Sequence, residues 1–276
     1  YTTDLITKYA VVFIRQNRKQ PFFCYIPHEA VHHPLQVKLA DVKALCRQFR
    51  GEWEYVRNVI SPKTGRRLEE VAEIRCDRGA EFDATVIDPG RKHFQPLMYA
   101  TYLYSLDRSV GKVMEAIESL GLTDDTIFMF TADNGATPDG CNLPFRGSKH
   151  TLWEGGVHVP AAIWWPGRFE ARIAPYSRAA NRYTGLISYL DIYPTLLSMA
   201  GQACRGTDLD GMDCWPSLKR NTKTRSGLSD AFYWMWRDHG SIRTERWKLF
   251  YSESSKRTEL YDLEADVTEE NSIADI

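Results

Sequence analysis

The stretch that decides the fold is residues 126–135, which read Thr-Ile-Phe-Met-Phe-Thr-Ala-Asp-Asn-Gly. All residues before the aspartate are apolar or β-branched, and a run of this composition and length is typical of a β-strand. The run stops at the polar tripeptide Asp133-Asn134-Gly135. We therefore predict a strand over residues 126–132. A turn that carries an acid and an amide follows at its carboxyl end.

Two helices and a shorter strand are predicted upstream of this run. Residues 4–18 place apolar side chains at helical spacing. Residues 103–120 repeat them at steps of 3, 4, 3, 4 and 3, which indicates an amphipathic helix with one apolar face. Gly121 follows, where a C-terminal glycine cap belongs. Between the helices, the apolar run at residues 22–26 is bounded by prolines and favours a strand buried on both faces.

The downstream chain alternates strand and helix patterns and then changes character. Apolar residues predict a second buried strand at 159–165 and a helix over 184–200. Three short strands separated by polar turns follow, at 241–244, 247–251 and 259–263, which indicates a small antiparallel sheet. Strands that alternate with long helices predict an α/β core, and the run of short strands predicts a C-terminal subdomain.

Composition limits the classes of function. The 276 residues carry 35 Lys and Arg against 36 Asp and Glu, so the charge balance gives no sign of binding to nucleic acid or an anionic membrane. Hydrophobic residues make up 43% of the chain and eight are Trp, which excludes a disordered segment. No apolar run approaches the roughly 18 residues of a membrane-spanning helix. These values predict one large folded domain, or a domain with a small appendage.

The six cysteines leave two alternatives open. They form no Cys-x-x-Cys pair, so a zinc ribbon is not predicted. A disulfide between Cys204 and Cys214 could close a short surface loop, which would suit an oxidising compartment. Free, buried thiols are the alternative.

Two oxygen donors at the end of the predicted strand form the first candidate site. In open α/β sheets, ligands bind beyond the carboxyl ends of the strands. Asp133 and Asn134 lie at such an end and offer a carboxylate and an amide carbonyl, which Ca²⁺ and Mg²⁺ prefer as ligands. The alternative is structural, because Asp-Asn-Gly is also a common turn sequence.

Two further residues, Lys149 and His32, could contribute a charge and a proton. Lys149 follows Arg146 in a glycine-rich loop, where a pair of cations could bind an oxyanion. The alternative for this pair is solvated surface charge. His32 lies in a polar loop and titrates near neutral pH, so it could supply a proton. The alternative for His32, and our interpretation of the neighbouring His33, is a polar loop residue.

Taken in order along the chain, these segments resemble the sulfatase family of the alkaline-phosphatase-like superfamily. The segments that carry the resemblance are Tyr1-Thr2-Thr3-Asp4-Leu5 with Pro21-Phe22-Phe23, Val31-His32-His33-Pro34-Leu35-Gln36, Ser105-Leu106-Asp107-Arg108-Ser109-Val110-Gly111, Thr131-Ala132-Asp133-Asn134-Gly135, Arg146-Gly147-Ser148-Lys149 with Leu152-Trp153-Glu154-Gly155-Gly156-Val157, Leu209-Asp210-Gly211 with Trp215-Pro216, and Glu259-Leu260-Tyr261-Asp262-Leu263. Each motif alone is a weak signal, but their shared order is specific.

The resemblance implies an α/β fold with an alkaline-phosphatase-like mixed sheet flanked by helices. Residues 1–200 would be part of the catalytic domain, and residues 201–276 would form the C-terminal antiparallel subdomain. The resemblance covers most of residues 1–36 and 96–265 and lapses over 38–95, which we interpret as an insertion. The elements that patterns suggest there are a helix near 39–50 and short strands near 53–60 and 69–76.

The resemblance also implies roles for the candidate residues. Asp133 and Asn134 would ligate a divalent cation, usually Ca²⁺, with Mg²⁺ as the alternative. Lys149 would hold a sulfate oxygen, and His32 would lie beside the ester oxygen of the leaving group. These roles fit sulfate ester hydrolysis, since the departing oxygen needs a proton and the sulfuryl group is charged.

Substrate class and compartment follow from the same resemblance. The substrate would be a sulfated small molecule or glycan, and no nucleic acid or membrane span is involved. The wording Leu152-Trp153-Glu154-Gly155-Gly156 leans toward the arylsulfatase B-like (N-acetylgalactosamine-4-sulfatase-like) branch. Family habit favours a lysosomal or secreted protein, although the sequence contains no Asn-x-Ser/Thr acceptor site.

The sequence departs from the family at its nucleophile. The family uses a formylglycine made from the first residue of Cys/Ser-x-Pro-Ser-Arg, and neither that motif nor the family's paired metal-binding aspartates occurs here. His158 also stands where the family often has Arg. We therefore expect the C-terminal part of a sulfatase, with the missing N-terminal portion of the same protein as its partner. Alone, it should show no appreciable turnover, and its uncovered apolar edges should aggregate or pair with a complementing chain.

Three classes of function remain open at this point. The first is a sulfuric ester hydrolase without its nucleophile-bearing part. The second is a non-catalytic sulfatase-like module that binds a sulfated ligand or a partner. The third is a related phosphoester or phosphonate hydrolase, which the wording of the histidine and glycine motifs favours less than a sulfatase.

Overall fold

The computed structural model describes residues 1–48, 95–138, 140–169, 182–203, 208–223, 225 and 230–274. The chain forms two compact units, Tyr1–Thr126 and Ile127–Ile276. The strands predicted inside the insertion, and Cys204 of the predicted disulfide, lie outside the described residues. The predicted domain division after residue 200 stays a prediction. Over the part that the structure describes, no helix has the length and apolar character needed to cross a membrane.

The described residues of the first unit contain three helices. They are α1 (Thr2–Asn17), α2 (Leu39–Gln48) and α3 (Gln95–Ser119). Both α1 and α2 pack against α3, and the two predicted helices near residues 4–18 and 39–50 are confirmed with slightly different ends. The core combines α2, α3 and the segment before α2. Its buried members are Leu35, Val37, Val42, Leu45, Met98 and Tyr102.

Helix α3 confirms the predicted amphipathic helix, but its buried face is rotated relative to the predicted apolar stripe. The predicted side chains that are buried are Leu106, Val113 and Ile117. Leu103 is 49% exposed, because the buried stripe turns toward Ser105, whose hydroxyl donates to the buried Asp41 carboxylate at 2.7 Å. Gly121 caps the helix as predicted. Its φ of +69° lets the amide of Leu122 donate to the carbonyl of Ile117 at 3.0 Å.

Residues 22–26 do not form the predicted buried strand. No described strand pairs with them, and Phe23 and Tyr25 are each 77% exposed. Phe22 contacts α1, with its ring centroid 5.9 Å from that of Phe13 in an edge-to-face pair. The prediction of burial on both faces is wrong for the described part of this unit, since Phe22 contacts α1 while Phe23 and Tyr25 are exposed.

The second unit begins with a two-stranded sheet. Its strands are β1 (Phe128–Thr131) and β2 (Ala161–Trp164). They pair antiparallel, with Phe128 opposite Trp164 and Thr131 opposite Ala161. Both predicted strands are therefore confirmed, over four residues each. The prediction that the second is buried is wrong, because Ala161 and Ala162 are exposed.

The helices that the structure describes in the second unit are short. They are α4 (Glu154–Val157), α5 (Ile192–Met199) and α6 (Trp215–Arg220). The helix predicted for 184–200 is α5, preceded by a 3-10 turn at Tyr189–Asp191. A capping box sets this late start. The Ser188 amide donates to the Asp191 carboxylate at 2.8 Å, and the Ser188 hydroxyl accepts from the Leu190 amide at 3.3 Å.

A four-stranded antiparallel sheet ends the described chain. Its strands, in spatial and chain order, are β3 (Phe232–Trp236), β4 (His239–Arg243), β5 (Trp247–Ser252) and β6 (Arg257–Asp262). The predicted antiparallel sheet is therefore present, and β4, β5 and β6 correspond to the three predicted strands. The sequence interpretation missed β3, an almost wholly aromatic run. Strand β5 lies inside the sheet, paired with β4 on one side and β6 on the other.

Candidate functional site

The turn after β1 carries the two predicted oxygen donors. Strand β1 ends at Thr131, and Asp133 is exposed in the bend that follows. Asn134 is half-buried, and its side-chain nitrogen donates to the carbonyl of Gly135 at 2.9 Å. Because that bond uses the nitrogen, it leaves the amide oxygen of Asn134 available as a ligand.

Gly135 joins this turn to the segment before β2. Its amide donates to the carbonyl of Gly156 at 3.0 Å, and a Cβ at position 135 would lie 1.8 Å from the carbonyl oxygen of Gly155. A Cβ at Gly155 would lie 2.5 Å from the carbonyl oxygen of Arg146. Three backbone segments therefore touch here without room for a side chain, which explains why this region is rich in glycine.

Replacing Gly135 with Ala is expected to lower the free energy of unfolding by about 1–3 kcal/mol or more, because the new Cβ forces the backbone apart. Gly111→Ala is the matched control. No heavy atom lies within 4 Å of a Cβ at that position in α3, so the substitution should stabilise the helix by about 1 kcal/mol. Urea denaturation of both variants measures the difference. Equal stability of the two would contradict the tight contact at Gly135.

The loop that carries Lys149 is tied to the same turn. The Lys149 amide donates to the carbonyl of Ala136 at 3.0 Å. Ser148 and Thr151 close the loop reciprocally. The Ser148 amide donates to the Thr151 hydroxyl at 3.1 Å, and that hydroxyl donates to the Ser148 carbonyl at 2.7 Å. The structure thus brings the backbone of Lys149 beside the turn after β1.

Asn142, which the sequence interpretation did not single out, clamps this junction. Its side-chain oxygen accepts from the Ala136 amide at 2.7 Å. Its side-chain nitrogen donates to the carbonyls of Ala136 at 3.0 Å and Gly147 at 3.3 Å. One amide side chain therefore satisfies backbone groups on both loops.

A buried network of charges holds the other end of the Lys149 loop, at α4. Glu154 is 2% exposed, and its carboxylate pairs with Lys248 of β5 at 2.9 Å and Arg243 of β4 at 3.4 Å. The Nδ1 of His158 lies 3.1 Å from the same carboxylate. Burial raises the pKa of Glu154, but the hydrogen bond with His158 and the charges of Lys248 and Arg243 outweigh it. The pKa therefore lies well below its usual range.

Glu269 accepts a hydrogen bond from the backbone of Glu154. Its carboxylate accepts from the Glu154 amide at 2.7 Å, and the side chain is fully buried. Burial is the main cause that raises the pKa of Glu269 to about 7, and the charge of Glu154 adds to the rise. Lys248 and Arg146 act in the opposite direction. The Glu269 carboxyl is therefore partly protonated near neutral pH.

Arg146 links the start of the loop to β6. Its guanidinium donates to the Tyr261 hydroxyl at 2.9 Å and the Glu269 carbonyl at 2.8 Å, and it lies 3.4 Å from the Glu259 carboxylate. These contacts engage the Arg146 charge within the protein, so its expected role in a cation pair for an oxyanion is not supported. Lys149, in contrast, makes no ion pair with any described residue.

His32 belongs to the first unit. Its side chain is exposed, and its Nδ1 lies 2.8 Å from the carbonyl oxygen of His33. Since a carbonyl only accepts, Nδ1 carries the hydrogen, which leaves Nε2 to exchange a proton. His28 of the same loop differs, because it is half-buried within 3.3 Å of Ser109 and burial lowers its pKa.

The donors of the turn suit a hard cation but make only part of a site. Asp133 and Asn134 supply two oxygens of the roughly six to eight that Ca²⁺ takes. Within the described ranges, no group of three His, Cys, Asp or Glu side chains could hold a metal ion. The two residues could therefore supply at most one side of a Ca²⁺ or Mg²⁺ site.

Two family models match the chain. The model described as Sulfatase matches residues 1–202, which include His32, the turn after β1 and Lys149. The model described as N-sulphoglucosamine sulphohydrolase, C-terminal, matches residues 147–276, which include α4 and the four-stranded sheet.

Individual relatives agree with these models. Arylsulfatase J of Mus musculus is 27% identical over 274 residues, which cover 90% of this chain and 37% of that protein. Arylsulfatase A of Homo sapiens is 36% identical over 168 residues, which cover 57% of this chain and 31% of that protein. The chain thus spans about a third of these curated relatives.

A solved structure extends the comparison to the fold. The crystal structure of Ps i-CgsB in complex with k-i-k-neocarrahexaose is similar to this chain with a TM-score of 0.73 and 25% sequence identity. The match covers 99% of this chain and 51% of that one. It confirms the predicted α/β, alkaline-phosphatase-like fold class, although both sheets of the described residues are antiparallel.

Proposed function

Because the chain belongs to the sulfatase family, we propose that it serves the hydrolysis of a sulfate ester, carried by a sulfated small molecule or a glycan. The hydrogen bond from the Lys149 amide to the Ala136 carbonyl is the observation that supports this most. It ties the loop of Lys149, which makes no ion pair with a described residue, to the turn whose Asp133 and Asn134 would bind a metal ion. A charged sulfuryl group needs both kinds of partner.

Lys149 would bind a sulfate oxygen through its ammonium group. At about 4 Å, one pair of unit charges is worth about 4 kcal/mol near a protein surface. Because no described residue pairs with this ammonium, its charge is available to a substrate. The hydrogen-bonded loop would hold it in place as negative charge develops.

His32 would donate the proton that the departing oxygen needs. An alkoxide is a poor leaving group, so protonation by an imidazole lowers the barrier. The hydrogen bond from Nδ1 to the His33 carbonyl orients the ring and leaves Nε2 as the atom that gives up the proton.

Asp133 and Asn134 would hold a divalent cation, Ca²⁺ or Mg²⁺, with one carboxylate and one amide oxygen. When bound, that cation would stabilise negative charge on the sulfuryl group. The bond from the Asn134 side-chain nitrogen to Gly135 fixes which atom of the amide faces a ligand. The nucleophile, a formylglycine, would come from a part of the protein outside these 276 residues.

The partner, the branch and the compartment are further proposals. The N-terminal portion of the same protein would cover the exposed Phe23 and Tyr25, which agrees with a match to only about half of a solved relative. The motif at residues 152–156 supports the arylsulfatase B-like branch. A lysosomal or secreted location is proposed on the resemblance to the family.

One observation favours a second candidate, a non-catalytic module that binds a sulfated ligand. No Cys/Ser-x-Pro-Ser-Arg motif occurs in the 276 residues. A module of this kind would keep Lys149 as an anion ligand without needing a nucleophile.

Turnover of p-nitrocatechol sulfate tests the proposal. We expect no turnover by the 276-residue chain alone and measurable turnover by the product of its full open reading frame. In that product, Lys149→Ala is expected to lower kcat/KM roughly 100-fold, as for the loss of one group that stabilises transition-state charge. Lys112→Ala removes an exposed lysine of α3 and should leave kcat/KM unchanged.

Each of the other results would point to a different conclusion. Hydrolysis that survives Lys149→Ala would contradict the role of Lys149. Binding of a sulfated ester without hydrolysis, if lost in Lys149→Ala, would support the module instead. Hydrolysis by the 276-residue chain alone would overturn the need for a separate nucleophile-bearing part.

A further inference from the structure

We propose that Lys248 is a positioning residue for Lys149, acting through the carboxylate of Glu154. The inference rests on the proposed role of Lys149 in binding the sulfuryl group. It assigns a function in the site to a strand residue of the C-terminal sheet whose ion pair is with Glu154 rather than with Lys149 or the turn after β1.

The starting observation is a fully buried ammonium. Lysine is almost never fully buried unless it is paired, because removing its charge from water is costly. Lys248 has no exposed surface, and its ammonium lies 2.9 Å from Glu154 and 5.2 Å from the centre of the Trp234 ring. Its strand β5 is hydrogen-bonded to β4 on one side and β6 on the other, so the backbone of Lys248 is held in place by the sheet.

The contacts continue from Glu154 into the Lys149 loop. The next residue, Gly155, donates its amide to the Arg146 carbonyl at 2.7 Å, which closes the loop around Lys149. Gly156 accepts from the Gly135 amide at 3.0 Å. The glycine backbones touch so closely that a shift of α4 displaces both the loop and the turn.

The arrangement points to positioning rather than to stability alone. A buried ion pair adds little net stability compared with a hydrophobic pair of similar volume. It does impose direction, because a carboxylate held by several charged donors has one position that satisfies them all. Here Lys248, Arg243 and His158 converge on the Glu154 side chain, while Glu269 holds its amide.

Amide hydrogen exchange of the 276-residue chain tests the inference without any assay of activity. In Lys248→Met, we expect the amides of Lys149 and Gly155 to exchange at least about tenfold faster, while the amides of α3 are unchanged. The matched control is Arg246→Met, which breaks an ion pair with Asp262 on the same sheet. Arg246 is 50% exposed, so its loss should leave the loop protected.

A double variant separates positioning from folding. Lys248→Met alone leaves the buried Glu154 carboxylate short of a counter-charge and therefore costs stability, so it is compared with the double variant that also carries Glu154→Gln. In the double variant we expect the urea midpoint to recover toward that of the unchanged chain while the Lys149 amide still exchanges fast. Recovery of both would show a merely structural pair and overturn the inference.

Kinetics of the full-length protein complete the test. If Lys248 acts through Lys149, Lys248→Met lowers kcat/KM in the unchanged protein but has little further effect once Lys149→Ala is present. Equal effects in both backgrounds, or unchanged exchange of Lys149 in Lys248→Met, would overturn the inference. Faster exchange together with a Lys149→Ala variant of full activity would instead overturn the proposed role of Lys149 and leave the structural coupling intact.

Discussion

Replacing Asp191 with Ala is expected to lower the free energy of unfolding by about 3–5 kcal/mol, the range for breaking one partner of a buried ion pair. The fully buried carboxylate accepts from the Arg225 guanidinium at 2.6 Å, the Met212 amide at 2.9 Å and the Ser188 amide at 2.8 Å. Without it, Arg225 keeps a charge that is only 6% exposed and two amides lose their acceptor. Urea denaturation measures the loss.

Two variants control this prediction. Asp210→Ala makes the same substitution at an exposed position and should change stability by less than about 0.5 kcal/mol. Asp191→Asn keeps an acceptor for one amide but removes the charge, so it should fall between the two. A cost for Asp191→Ala as small as that of Asp210→Ala would mean that Arg225 does not depend on this carboxylate.

Asp191 also shows why the start of α5 was misplaced. The apolar spacing of residues 184–200 fits a helix throughout, and periodicity carries no information about where a helix begins. The capping box does. Ser188 and Asp191 stand three residues apart, which is the spacing of an N-terminal box, so the signal was present in the sequence.

Elements fixed by local chemistry were predicted well. Gly121 caps α3 because only a residue that tolerates positive φ allows that cap, and β1 ends two residues before the polar Asp133. The segment 22–26 is different. Its apolar composition predicts that it is covered, but whatever would cover it lies outside the segment, so the sequence of the segment cannot show whether it is covered.

The candidate site residues show the same contrast between local and long-range information in the sequence. Asp133, Asn134, Lys149 and His32 could be named from residue type and motif order. The supporting pair Glu154–Lys248 could not, because the two residues are 94 positions apart and an ion pair needs the fold to join them. The alternation of apolar and polar residues along β5 would also give the wrong buried face. Its apolar Trp247 and Tyr251 are exposed, whereas Lys248 is buried on the opposite face.

The pH dependence of the free energy of unfolding should reveal the raised pKa of Glu269. Because burial raises its pKa from 4.5 to about 7, the folded chain between these values holds a proton that the unfolded chain has released. Stability falls as pH rises wherever the folded state binds more protons. We therefore expect Glu269 to lower the free energy of unfolding by about 3 kcal/mol as the pH rises from 4.5 through about 7, with no further change once the carboxyl is fully ionised.

Glu269→Gln isolates this contribution. The Gln carbonyl can still accept from the Glu154 amide, but it cannot ionise among the charges that face it from Glu154, Lys248 and Arg146. The fall between pH 5 and 7 should therefore disappear, whereas the exposed Glu264→Gln should retain it. Glu154 has the opposite sign, since its lowered pKa gives stability that is lost only as acid protonates it below pH 4.5. A pH curve for Glu269→Gln that parallels that of the unchanged chain from pH 5 to 7 would show that the Glu269 carboxyl is ionised in the folded state.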